Sequence, residues 1–134
     1  MRAVTAVRLF GLLASAVLAG CQSAIFVPRY EPMEQRPVAV LTGTLTVRDG
    51  CVWIVTTSER FLALWPSNFK VLLQDAQISV SGDGIEVMAG DVITVVGGAY
   101  EPGQAGFVQT LIGQSVPEAC LGQYWLVTEL RPER

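Results

Sequence analysis

From Val38 onward the chain is built of short apolar or alternating runs of β-branched residues punctuated by glycine. Leu41, Gly43, Leu45 and Val47 alternate with Thr42, Thr44 and Thr46, which is the pattern of a strand with one buried face. Arg48-Asp49-Gly50 then supplies a turn, and Cys51 to Thr56 forms the second arm of a hairpin. Further strands are expected at Arg60 to Trp65, stopped by Pro66, and at Phe69 to Gln74, Ala76 to Val80, Ile85 to Met88 and Asp91 to Val96. Ser81-Gly82-Asp83-Gly84 and Ala89-Gly90 read as turns, and Gly97-Gly98 as the end of the strand that begins at Asp91. Phe107 to Ile112 and Tyr124 to Leu130 complete the strand set. No window carries three turns of amphipathic helix; a short one is expected at most near Val116 to Cys120. The prediction is an all-β domain over 38–134, either a small closed barrel or a β-sandwich.

Two stretches before Val38 break this pattern. Residues 1–20 open with Arg2 and Arg8 and continue as an apolar run, Leu9 to Ala19, interrupted only by Ser15. A positive start, about a dozen apolar residues and small residues at the end describe an export signal, because a spanning helix needs about 20 apolar residues. Ser23 to Pro37 follows, with Pro28, Pro32 and Pro37 among Arg29, Glu31, Glu34, Gln35 and Arg36. Proline restricts the backbone and withholds a donor, so this stretch is expected to be an extended tether that lifts the domain off a surface. Ile25, Phe26, Val27 and Tyr30 interrupt its polarity, and two outcomes are open for them: packing back on the domain, or lying among lipid headgroups.

Leu18-Ala19-Gly20-Cys21 resembles the lipobox of bacterial lipoproteins. The resemblance implies cleavage before Cys21, a diacylglyceryl group on its thiol and acylation of the new amino group. The chain then divides into a lipoprotein signal peptide (1–20), a lipidated N-terminus with its Pro-rich tether (21–37) and the β domain. Two or three acyl chains hold a domain at a bilayer where one does not, and no spanning segment is needed. Gln22 follows the cysteine, in place of the aspartate that favours inner-membrane retention in lipoproteins of two-membrane bacteria. In such a host the resemblance implies the outer membrane, facing the periplasm; in any host it implies the cell envelope.

With Cys21 acylated, Cys51 and Cys120 remain as one pair in an oxidising compartment, which points to one disulfide. Two thiolates without histidine or CxxC spacing lack the ligands for a metal site, and no cofactor motif is present. Charge narrows the partners. Nine Lys and Arg face twelve Asp and Glu, and Arg2 and Arg8 leave with the signal, so the formal charge moves from −3 to −5. That leaves no basic patch for nucleic acid, and little attraction to an anionic bilayer beyond the lipid itself.

Gly90-Asp91-Val92-Ile93-Thr94-Val95-Val96-Gly97-Gly98 resembles a stretch, G-D-x-V-x-V-x-G, that recurs in OB-fold and similar small barrels. Gly43, Gly50-Cys51-Val52-Trp53, Trp65-Pro66, Gly90-Asp91, Gly97-Gly98 and Cys120-x-Gly122-x-Tyr124-Trp125-x-Val127 together resemble small exported bacterial domains of unassigned activity. This wider likeness supports the Cys51–Cys120 pairing and implies no catalytic residue.

Catalytic signals are weak. Ser67-Asn68-Phe69-Lys70 spells S-x-x-K, but the Lys-Thr-Gly strand of that chemistry is missing and the motif follows a proline, so it reads as a turn. Asp83, Glu86 and Asp91 lack EF-hand spacing and read as turn acids. Glu101, Glu118 and Glu129 are too dispersed for a glycosidase pair. The expectation is therefore a non-catalytic structural, accessory or protein-binding module that engages another protein or an envelope component, with glycan or small-ligand binding as the alternative. Among the aromatics, Trp53 and Trp125 are expected to pack around the disulfide. Trp65 and Tyr100, which adjoin turns, are the candidate binding surface, provided both are exposed on one side. A charged surround there would favour protein contacts, and a concave aromatic cleft a ligand.

Overall fold

The computed structural model describes residues 24–75 and 77–132. The signal segment and the lipobox through Cys21 lie outside the described residues. The chain is mostly β, with strands β1 (Arg29–Tyr30), β2 (Ala39–Arg48), β3 (Cys51–Val55), β4 (Arg60–Pro66), β5 (Lys70–Gln74), β6 (Gln77–Gly82), β7 (Ile85–Met88), β8 (Val92–Tyr100) and β9 (Gln123–Arg131). One helix, α1 (Ala105–Ile112), links β8 to β9, and a single 3-10 turn follows at Glu118–Cys120.

The Asp-Gly pairs fix two hairpins. Asp49 and Gly50 take φ of 55° and 76°, and Asp83 and Gly84 take 54° and 77°. Positive φ at both central residues gives the turn whose twist matches its flanking strands, and it pairs β2 with β3 and β6 with β7. β5, β6 and β7 form a small antiparallel sheet. The larger sheet runs β1-β4-β3-β2-β8-β9, and β9 also pairs in parallel with β4, so five strands form a ring of hydrogen bonds.

The ring explains why three strands are buried on both faces. Along β3, Val52 and Ile54 point into the ring, while Cys51 and Trp53 point outward beneath a second layer. β4 repeats this with Phe61, Ala63 and Trp65 inside and Leu62 and Leu64 outside. In β9, Trp125 and Val127 are inside, and Tyr124 and Leu126 outside. The interior is completed by Phe69, Ile78, Val80 and Val87 from the small sheet and its approach. The outer layer is Tyr30, Val108, Ile112, Val116 and Cys120, with the helix and the N-terminal segment as its cover.

Three expectations need correction. Phe107 to Ile112 is helical, because Ala105, Val108 and Ile112 share one face and pack on the outer layer. β8 does not stop at Gly97-Gly98 but runs through them to Tyr100. A bulge opposite this point gives β9 one extra residue, Thr128, whose hydroxyl donates to the Val96 carbonyl at 3.1 Å. At Gly97 a Cβ would fall 1.6 Å from the Leu126 carbonyl oxygen, so only glycine lets the strands approach there.

The third correction concerns the expected tether. Of the two outcomes open for Ile25, Phe26, Val27 and Tyr30, packing on the domain is the one observed. Phe26 bridges Cys51, and β1 pairs in parallel with the end of β4. The Tyr30 hydroxyl donates to the Val127 carbonyl at 2.5 Å, and the Arg29 guanidinium donates to the carbonyls of Ser67 and Phe69.

Candidate functional site

Cys51 and Cys120 form a disulfide across 69 residues of sequence. Both sulfur-bearing residues are almost fully buried, which makes the bond a structural staple of the outer layer. It ties the 3-10 turn after α1 to the first residue of β3. Trp53 and Trp125 are buried, as expected of core residues, but on opposite sides of the sheet, so only Trp53 shares the disulfide's layer. The Arg60 guanidinium lies over the Trp53 ring, 4.0 Å from its centre.

The proposed pairing of Trp65 with Tyr100 does not hold. Trp65 is 0% exposed, inside the ring, with Phe69 at 6.3 Å between ring centres. Its position in β4 has interior parity, and the turn at Pro66 to Phe69 folds over it. Tyr100 belongs to the other layer, half-buried at the end of β8, with its ring 5.3 Å from Phe107. The two side chains therefore face different cores and make no common surface.

The turn acids are engaged locally. An oxygen of Asp91 accepts the Met88 amide at 2.8 Å, one of Asp83 accepts the Leu130 amide at 2.9 Å, and Glu86 accepts the Ser79 hydroxyl at 2.7 Å. Ser67 donates its amide to the Tyr30 carbonyl, and Phe69 donates to that of Pro66, so the S-x-x-K segment is a turn. Among the described residues no cluster of three acidic or thiol side chains is arranged to hold a metal.

What the structure does expose is one face of the β2–β8 pair. The register sets Val40 opposite Val96, Thr42 opposite Thr94 and Thr44 opposite Val92. Residues directly opposite share a face, so this row holds only valine and threonine. Val38 is 79% exposed, Val40 54% and Val92 45%. Thr42 and Thr94 meet in the middle, their hydroxyls 3.0 Å apart. Over the stretch where β2 and β8 pair, this face carries no charged side chain; the charges lie around it, with Arg48 at the far end of β2 and the Glu129–Arg131 ion pair on β9 opposite Val96 and Thr94. The signal was present in the sequence: positions 38, 40, 42, 44 and 46 have the parity opposite to the buried row, and the first ionisable residue of that parity in β2 is Arg48 at its end.

Next to Val38 the face falls into a cleft of about 370 Å³ lined by Arg36, Pro37, Val96, Thr128, Glu129 and Asp83. The β9 bulge shapes one wall, and the β6–β7 turn brings Asp83 to the other. Of the charged residues lining it, Asp83 accepts the Leu130 amide and Glu129 is paired with Arg131 at 3.2 Å. The arrangement can receive polar groups beside an apolar row; it contains no nucleophile activated by a base. The chain matches no known protein family, no curated protein and no solved structure.

Proposed function

We propose that this chain is a lipid-anchored cell-envelope protein whose domain is a small OB-like barrel acting as a non-catalytic protein-binding module. The lipobox at Leu18 to Cys21 supports the anchor. The disulfide suits an oxidising, extracytoplasmic setting. For the barrel, the support is the stagger of the ring. From Thr46 the register passes through Trp53, Leu62, Tyr124 and Tyr100, and the β2–β8 pairing continued outward returns to position 36, ten residues from the start. Such a stagger is what tilted strands need in order to close.

The observation that carries the binding function is the charge-free row of Val38, Val40 and Val92 beside the polar cleft. An apolar centre with a polar rim is the anatomy of a protein-binding patch. The cleft also supports the alternative, a small polar or glycan ligand bound beside Arg36 and Thr128. The test is cross-linking of the anchored protein within its own envelope fraction, comparing the native chain with a Val38→Asp, Val40→Asp variant. A specific cross-linked partner lost in the variant, with the thermal midpoint unchanged, is the expected result. A partner retained by the variant would move the binding surface elsewhere.

A further inference from the structure

The path of residues 24–30 sets how far the domain can stand from the membrane. Ala24 lies against the β2–β3 turn: a Cβ on Gly50 would be 3.2 Å from the Ala24 carbonyl oxygen. Phe26 donates its amide to Gly50 at 2.8 Å, Trp65 donates to Pro28 at 3.0 Å and Ser67 donates to Tyr30 at 2.8 Å. With the Arg29 and Tyr30 side chains also bound, the segment is fastened along its length. Only Gln22 and Ser23 separate Ala24 from Cys21, three Cα–Cα steps with a reach of about 11 Å when fully extended. A free tether from Cys21 to Pro37 would reach about 55 Å.

We infer that the β2–β3 turn, Asp49-Gly50 with Cys51 behind it, is the membrane-facing end of the molecule, held against the lipid headgroups by Cys21. The inference rests on the lipid-anchor reading and reverses the expectation of a spacer. β2 then leads away from the bilayer. Val38 and Val40 lie at its far end, ten and eight residues before Arg48, roughly 26 to 33 Å along the strand. Glu129 is at the same level, since Val96 pairs with both Val40 and Glu129. The charge-free row and its cleft are therefore presented outward from the membrane.

The experiment uses the lipidated protein in bicelles of phosphatidylethanolamine and phosphatidylglycerol doped with a nitroxide-headgroup lipid, the reduced nitroxide serving as reference. The amide resonances of Gly50 and Cys51 are expected to be lost, and those of Val40 and Glu129 to keep most of their intensity. Mass spectrometry of the same sample separates the two ways of failing. A lipidated Cys21 with equal broadening at both ends, or with loss at Val40 and Glu129 alone, overturns this inference and leaves the anchor standing. An unmodified Cys21 overturns the anchor reading and this inference with it.

Discussion

Trp65 shows how a single position decides between recognition and core. Its ring fills the ring interior with no exposed area, so Trp65→Ala is expected to cost about 3 to 5 kcal/mol in chemical denaturation. Its indole N–H has no hydrogen-bond partner, so Trp65→Phe removes an unpaired donor along with some volume and should cost much less, about 1 to 2 kcal/mol. Equal losses in the two variants would mean that the N–H is paired. Tyr30 makes a second residue-scale prediction. Burial pushes its hydroxyl from 10.0 up to about 12, with the Arg36 charge opposing and Tyr100 adding to the rise. The folded state thus holds a proton that the unfolded state releases near pH 10. The associated stability is complete below about pH 10 and lost as the pH approaches about 12, on the order of 2 to 3 kcal/mol. Tyr30→Phe should lose about 1 kcal/mol at neutral pH with the Val127 hydrogen bond, and should flatten that alkaline decline. Parallel declines in both proteins would assign the proton elsewhere.

At the scale of elements, the disulfide and the helix it follows behave as one unit. Cys51–Cys120 closes a loop that contains β4 to α1, and the chain-entropy model gives about 4 kcal/mol for a loop of this length. Cys51→Ala with Cys120→Ala is therefore expected to lower unfolding free energy by about 2 to 5 kcal/mol, measured by urea titration. A change below about 0.5 kcal/mol would show that the outer layer holds without the bond. The hairpins were legible because Asp49-Gly50 and Asp83-Gly84 require positive φ and sit between alternating runs. α1 was not, because Phe107, Val108, Thr110 and Ile112 favour strands one by one. Its helical signals lie outside them, in the 3-10 turn Pro102–Gln104 that leads into it and carries the Glu101 and Gln104 capping box, in the left-handed Gly113 stop, and in the spacing of Ala105, Val108 and Ile112. β8 was cut short for the opposite reason: Gly97-Gly98 looks like a terminator, yet Gly97 is there to admit the Leu126 carbonyl.

For the molecule as a whole, the layer structure separates what a sequence pattern can reveal from what it cannot. Period two identifies the two sides of β2, but which side faces water depends on ring closure through the β4–β9 pairing, between residues about 60 positions apart. That is why Trp65, beside a turn, read as a surface residue, and why Val38 and Val40 were not singled out. The N-terminal prolines suggested a spacer, whereas pairing of β1 with β4 and the grip of Arg29 make the same residues part of the domain. The account then rests on what happens at Cys21. The most direct measurement is the intact N-terminal peptide of protein extracted from its native membrane, analysed by mass spectrometry. A peptide that begins at Cys21 and carries a diacylglyceryl group is the predicted result. A peptide that retains residues before Cys21, or begins there without lipid, would contradict it.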